Sequence, residues 1–246
     1  MFISPETMVR LWRINPEGVL HVGAHLGEEK MEYERFGFGK IFWVEANPVL
    51  CERLKKITQD EVFQGLVWSE SDLDRKFHVG EDTHVSSTLA PGLINQIYPS
   101  VVFTSEINMK TTTLKDLVPQ TCEYNFVNFD VQGAELHAMK GLGALIDKVQ
   151  YIYTEVSFVK LYKDSASLSD LDTFLKNSGF RRVALKSVPG KGWGEAFYIR
   201  TSNLDLREKL WLSMGSILFK FMNFFSLARD FLNRAKGFIL ARWNKN

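Results

Sequence analysis

The stretch GVLHVGAHLGEE, residues 18–29, decides how the rest of the chain is read. Gly18–Ala24 is an apolar run of strand length that stops at a turn built from small residues. Gly27–Phe36 follows with Met31, Tyr33 and Phe36 set among charges, which predicts a helix. Strand, glycine turn and helix make half of a β-α unit, and the alternation continues downstream. Lys40–Ala46 (KIFWVEA) reads as a second strand, and Asn47-Pro48 opens a helix reaching Ile57. Pro48 suits the first turn of that helix, where its missing N–H has no partner to lose. Glu61–Ser69 reads as a third strand, Tyr124–Asp130 as a fourth and Val149–Val156 as a fifth. A turn at Gly133 and a helix to Leu142 separate the last two. Leu168–Ser178 reads as a helix with Gly179 as its stop. Arg182–Lys186 and Glu195–Arg200 have no helix between them, so they are expected to pair as an antiparallel hairpin. Between residues 70 and 118 the pattern weakens to strands at Lys76–Val79 and Ile107–Thr112 around a loop, Val85–Gly92.

The bulk composition excludes several classes of protein. A chain of 246 residues, 45% hydrophobic and 24% charged, can bury one sizeable α/β core plus an appendage. A net charge of +1 gives no argument for nucleic-acid binding. Cys51 and Cys122 belong to no CxxC pair and lie near no histidine cluster, so neither a zinc site nor a disulfide framework is expected, and no metal is assigned. Residues 1–18 hold no apolar stretch of signal-peptide length, and no run of 18 uncharged apolar residues occurs, so the expected location is the cytosol.

Ligands of parallel sheets bind at the carboxyl ends of the strands. The first strand ends in Gly23, Ala24, His25, Leu26, Gly27 and Glu28. Gly23 and Gly27 stand at i and i+4, which is not the GxGxxG spacing that a dinucleotide pyrophosphate needs. The spacing leaves room for an adenosyl ligand without a pyrophosphate, or for a plain strand-to-helix turn. The second strand ends at Glu45 and Ala46, and a carboxylate about 20 residues past a glycine turn commonly accepts hydrogen bonds from a ribose diol. A solvent-facing Glu is the alternative. Trp68, at the end of the third strand, offers a surface for an adenine base or serves as core. The fourth strand ends in Asp130, Val131 and Gln132, and the fifth reaches Glu155 in the same apolar style. Acids at the ends of buried strands carry a desolvation cost and so have partners. They can bind a metal, hold an amine, act as base and orienting group, or brace loops.

These segments together resemble the FkbM-type methyltransferase family. The residues that carry the resemblance are GVLHVGAHLGEE (18–29), IFWVEANP (41–48), the loop 85–89, TTTLKDL (111–117), YNFVNFDVQGAELHAMKGL (124–142), YIYTEVSFVKLY (151–162) and GWGEAFYIR (192–200). The resemblance implies a Rossmann-like α/β fold with a seven-stranded, mostly parallel sheet in the order 3-2-1-4-5-7-6, strand 7 antiparallel. It implies S-adenosyl-L-methionine as methyl donor and a hydroxyl acceptor on a sugar, glycan precursor or polyketide-like molecule. By position, the Gly23–Gly27 turn would hold the methionine part of the donor, Glu45 the ribose, and Asp130 would lie at the reaction centre. The family pattern has an Asp where this chain has His21 and an Asn where it has His25.

An alcohol is a poor nucleophile at pH 7, so O-methylation needs a base to take its proton. Asp130, assisted by Glu155, is the expected base, with His25, His84 and His137 as the other candidates. Ser86 and Ser87 in the 85–89 loop, and Trp193 in the Gly190–Gly194 stretch, are the expected acceptor contacts. The alternative is a non-catalytic cofactor- or glycan-binding module of the same fold. Residues 1–203 are read as the methyltransferase domain and 204–246 as a separate tail. That tail carries eight Lys/Arg and three Asp/Glu. Leu210, Ile217, Phe224, Phe231 and Phe238 recur every seventh residue in it, as do Trp211, Leu218, Phe225, Leu232 and Ile239; Met214, Phe221, Ala228 and Ala235 complete a broad amphipathic helical face. Such a face packs on the domain, on a second copy, on a partner helix, or in an anionic membrane interface, the last placing the protein peripherally at the inner membrane face.

Overall fold

The computed structural model describes residues 1–187, 190–202 and 204–243, with side chains of the terminal helix described as far as Phe225. Seven strands form the main sheet: β1 (Gly18–Val22), β2 (Lys40–Glu45), β3 (Glu61–Gln64), β7 (Phe126–Phe129), β8 (Tyr151–Ser157), β9 (Phe180–Ser187) and β10 (Trp193–Arg200). They lie in the order β3-β2-β1-β7-β8-β10-β9. Counted within this sheet alone, that is the expected 3-2-1-4-5-7-6. β10 runs antiparallel to both neighbours, and the other pairs are parallel.

The alternation of side chains along β1 shows why the sheet is buried on both faces. Leu20 and Val22 enter one core with Phe42, Val127, Phe129 and Ile152. Val19 enters the other with Trp43, Phe126, Tyr153 and Phe197. Helices cover the faces: α1 (Pro5–Trp12), α2 (Lys30–Arg35), α3 (Pro48–Ile57), α6 (Glu135–Lys140) and α7 (Leu168–Asn177). Asn47 caps α3 by accepting from the Val49 N–H, with Pro48 in the first turn. A capping box between Ser167 and Asp170 starts α7, and Gly179 at φ +85° follows its end.

The third strand departs from expectation. Glu61–Ser69 is not one strand, because the chain leaves the main sheet at Gly65. Leu66–Val67, β4, pairs instead with a second sheet, order β4-β6-β5, formed with β5 (Asp74–Gly80) and β6 (Phe103–Thr112). A Cβ at Gly65 would stand 2.7 Å from a Leu117 methyl and 2.8 Å from the Thr112 methyl, so a larger residue would have to displace both where the chain passes between the two sheets. A 3-10 turn at Thr83–Val85 and the short helices α4 (Ile94–Ile97) and α5 (Leu114–Leu117) complete this insert.

The final helix, α8 (Leu206–Trp243), packs on α1 and β9. Leu212 and Phe219 are buried with Trp12 and Phe197, and Gly215 lets the helix approach the Leu11 carbonyl. The heptad residues Leu210, Met214, Ile217, Leu218, Phe221, Phe224 and Phe225 lie on the other side and are exposed, while Trp211 stands at the border with the Arg13 guanidinium 3.9 Å from its ring centre. For the described part of the stripe, Trp211 apart, the reading in which it packs on the domain is therefore corrected: the attaching face is 212, 215, 216 and 219, chosen by the small residues that admit close contact. Ala228, Phe231, Leu232, Ala235, Phe238 and Ile239 lie outside the described side chains.

Candidate active site

β1 and β7 are neighbours from which the chain winds in opposite directions, so the loops beyond their carboxyl ends part and leave a crevice. A cavity of about 460 Å³ occupies it, within the usual range for small-molecule sites of roughly 300–1,000 Å³. Its inner wall includes Gly23, Glu45, Asp130, Gln132 and Glu155 from the sheet. Its outer wall comes from the insert and nearby loops, including His84, Thr88, Tyr98, Tyr162 and Trp193.

The glycine turn and the second-strand acid share this crevice and are tied to one another. The Gly23 and Ala24 N–H groups both donate to the Val44 carbonyl, at 2.9 and 3.0 Å. The His25 N–H donates to Glu45 Oε2 at 2.8 Å, which holds His25 in the left-handed conformation at φ +47°. The Asn47 N–H donates to Glu45 Oε1 at 2.7 Å. The Gly23, Ala24 and His25 N–H groups are therefore spent on β2 and do not present themselves to a ligand. Burial pushes the Glu45 carboxyl up to about 7 in spite of its N–H donors. Each carboxylate oxygen accepts two hydrogen bonds, so both retain capacity for ribose hydroxyls.

Gly23 must be glycine. At φ +90° a Cβ would lie 1.8 Å from the Asp130 carbonyl oxygen. The contact brings the ends of β1 and β7 together and fixes Asp130 on the cavity wall. The Asp130 side chain is open to the cavity yet deep within the fold; burial raises its pKa, opposed by the hydrogen bond from Gln132 and by His21. Gln132 Nε2 donates to Asp130 Oδ1 at 2.6 Å and to Glu155 Oε2 at 3.3 Å. The Tyr162 hydroxyl stands 3.1 Å from Gln132 Oε1, which fixes the amide's orientation. Glu155 is raised well above the ordinary carboxylate range, by burial first and then by the charges of Asp130 and Glu135.

Several expected site residues have other work. Ala24 is buried in the core, and Gly27 packs on Leu54 and Trp43. Glu28 turns toward His25, its Oε1 lying 2.6 Å from His25 Nδ1. Trp68 does not line the cavity: it is stacked on His137 at 3.6 Å, with Arg75 on its ring at 3.8 Å. The break at Gly65 turns Trp68 away, and Gly65, Leu66 and Val67 line the wall instead. His137 is withdrawn by the same stack, and burial lowers its pKa to about 4. Ser86 lines the cavity; Ser87 does not, and its hydroxyl donates to the Gln132 carbonyl at 2.7 Å. Trp193 lines the cavity, its indole N–H donating to the Tyr98 hydroxyl at 2.9 Å. His21 lies under the sheet beside Tyr33 and Asn128, and burial lowers its pKa.

The structure adds residues that the sequence does not single out. Thr88 Oγ1 is buried in the cavity wall without a hydrogen-bond partner. Tyr98 and Tyr162 add aromatic surface, and Glu135 accepts from the Gly133 N–H at 3.0 Å, bracing the turn after β7. Among the described residues that line the cavity there is no lysine or arginine.

A pyrophosphate would enter this wall of acids without a counter-charge. An adenosyl sulfonium fits it: Glu45 suits the ribose, Leu50, Leu66, Val67 and Val131 offer an apolar slot for the base, and the acids face the positive end. Sheet, switch-point cavity and lining define the class of S-adenosylmethionine-dependent methyltransferases. Within that class the chain belongs to the FkbM methyltransferase family, whose domain model matches residues 21–182, and its methyl donor is S-adenosylmethionine. No curated protein matches the chain. Among solved structures it is similar to a magnesium protoporphyrin IX methyltransferase from Synechocystis PCC 6803 with bound donor, at 11% identity over 74% of this chain and 69% of that one, TM-score 0.41. A putative O-methyltransferase from Klebsiella pneumoniae is similar at 12% identity, 80% and 78% coverage and TM-score 0.43. A TehB-like S-adenosylmethionine-dependent methyltransferase from Corynebacterium glutamicum gives 10%, 81% and 89%, and 0.42.

Proposed function

We propose that this methyltransferase acts on a hydroxyl of a neutral, sugar-like acceptor. The observation that carries the reading is the pair Asp130 and Glu155, bridged by Gln132 on a cavity wall that faces Trp193 and Thr88. When bound, S-adenosylmethionine supplies an electrophilic methyl group on a positively charged sulfur. Asp130 accepts the proton of the acceptor hydroxyl, and Glu155, which holds its own proton longer, donates a hydrogen bond to a neighbouring oxygen. Trp193 offers the flat surface on which a pyranose ring stacks. The lack of basic lining among the described residues favours a neutral group at the reacting end over a phosphorylated one. The loop around residues 82–86 walls the cavity from solvent, and exclusion of water by a bound acceptor strengthens each of these contacts.

Formation of S-adenosylhomocysteine from the donor is measured with neutral glycosides, phosphorylated sugars and alkyl amines as acceptors. Turnover with the glycosides is expected, falling about 100-fold or more in Asp130→Asn, the scale on which general bases contribute. Methylation of the amines alone, or full turnover in Asp130→Asn, overturns the reading. Donor binding without transfer to any acceptor favours the binding module.

We further infer that the outer face of α8 meets an anionic membrane surface. The exposed stripe and the tail's excess of five positive charges support this reading.

A further inference from the structure

At the mouth of the cavity, side chains from two separate segments converge. His25 and Glu28 belong to the turn after β1, and His84 to the turn at Thr83–Val85 in the insert. A ligand atom of each lies within 4.8 Å of the other two. His25 Nδ1 is 2.6 Å and His84 Nε2 3.7 Å from the same oxygen, Glu28 Oε1. The two imidazole rings stack with centroids 3.7 Å apart.

The outward nitrogens of both rings are already engaged. His84 Nδ1 lies 2.8 Å from Asp82 Oδ1, and His25 Nε2 lies 2.7 Å from Thr83 Oγ1. A carboxylate only accepts, so His25 donates from Nδ1 to Glu28 and His84 from Nδ1 to Asp82, which leaves the Nε2 lone pair of the neutral His84 ring turned toward Glu28. Lone pair then faces carboxylate, a repulsion that only a positive charge relieves. An outer nitrogen held by a carboxylate or hydroxyl, with the inner one directed at a shared point, is the arrangement that orients metal-binding histidines.

We propose that His25 Nδ1, Glu28 and His84 Nε2 form a site for a divalent ion of the zinc class. Two imidazole nitrogens and one carboxylate oxygen are the donor set such ions favour. Metal–nitrogen distances of about 2.0–2.1 Å put tetrahedral ligand atoms roughly 3.3 Å apart, so the ion takes the place of the His25 Nδ1 proton, opens the 2.6 Å contact of His25 with Glu28 and closes the 3.7 Å contact of His84. Glu28 and His84 are exposed, which gives the ion an entry path. Bound there, it would clip the 82–86 loop to the turn after β1 across the cavity mouth. A fourth position is left for water or an acceptor oxygen. The site does not depend on which acceptor is methylated.

The test uses the full chain without a histidine tag, stripped by chelator and titrated with Co²⁺ under visible absorption, with Zn²⁺ as competitor. One equivalent of Co²⁺ with the intense bands of a four-coordinate site, displaced by Zn²⁺, is expected. Affinity should fall more than about 100-fold in His84→Ala and Glu28→Gln, and about 10-fold in Asp82→Asn, the scale of a lost outer partner. His78→Gln, on the insert but outside the cluster, should leave affinity unchanged, and circular dichroism verifies the fold of every variant. Equal Co²⁺ uptake by the wild type and folded His84→Ala overturns the site. So does failure of the wild type to take up metal, which would mean that a proton on His84 relieves the contact instead.

Discussion

Asp130 and Glu155 share one amide donor, and that sharing determines how they titrate. Gln132 lies nearer to Asp130, at 2.6 Å against 3.3 Å for Glu155, so Asp130 ionises first and its charge then holds the second proton on Glu155. The pair titrates as a unit with two macroscopic steps. Base catalysis by Asp130 with a protonated Glu155 predicts a bell-shaped profile of kcat/KM against pH. The acid limb lies above the ordinary Asp range because burial raises Asp130. Activity falls on the alkaline side as Glu155 ionises. Glu155→Gln replaces a neutral acid with a neutral amide, so it should abolish the alkaline fall and keep turnover at lower pH within about 10-fold. A profile recorded from pH 5 to pH 10 checks this, and an unchanged alkaline limb refutes the assignment. Asp130, Glu45 and Glu155 were legible in the sequence because each ends or nearly ends a short apolar strand, and charge there needs a reason. His84 was legible as a candidate base and Thr88 as part of the 85–89 loop, but their places in the cavity wall were not. Their significance comes from contacts across the fold, between an insert of weak periodicity and a turn some sixty residues earlier, and no local pattern encodes that.

At the scale of elements, the main sheet was readable from runs such as KIFWVEA and YNFVNFD, whose length and flanking turns admit little but buried parallel strands. The break at Gly65 was not readable, because EVFQGLVWS keeps strand composition across the point where the chain changes sheets. That break decides the role of Trp68. Had the third strand continued, Trp68 would have ended it beside the cofactor; instead it is locked between His137 and Arg75. Trp68→Ala should therefore cost about 3–5 kcal/mol of stability through the cavity it leaves. That corresponds to a Tm lower by roughly 10 °C in a chain of this size. Affinity for S-adenosylhomocysteine, measured by calorimetry well below the transition, should change less than about threefold. A loss of affinity greater than that in the folded variant would restore Trp68 to the base-binding wall.

For the molecule as a whole, α8 divides its labour between two faces. Leu212, Gly215 and Phe219 seal the core over Trp12, so removing the helix would expose the interior and confuse folding with function. The test of the outer face therefore belongs to substitutions on the exposed stripe. No helix among the described residues is long and apolar enough to cross a membrane, which leaves binding along the surface as the form that membrane contact would take. Phe221 and Phe224 lie on the exposed side, a turn apart, near Lys220. Burying one such side chain contributes about 1.5–3 kcal/mol, so Phe221→Glu with Phe224→Glu should lower partitioning onto phosphatidylserine-containing vesicles more than about 10-fold. Partitioning of the wild type should also weaken with salt, because the attraction of the basic residues to anionic lipid is screened over about a Debye length. Flotation with anionic and with neutral vesicles, at low and at high ionic strength, measures both effects. Sedimentation equilibrium of the same samples separates the other occupant. A dimer that dissociates in the double variant, with no flotation of either protein, would assign the stripe to a second copy of the chain and dismiss the membrane.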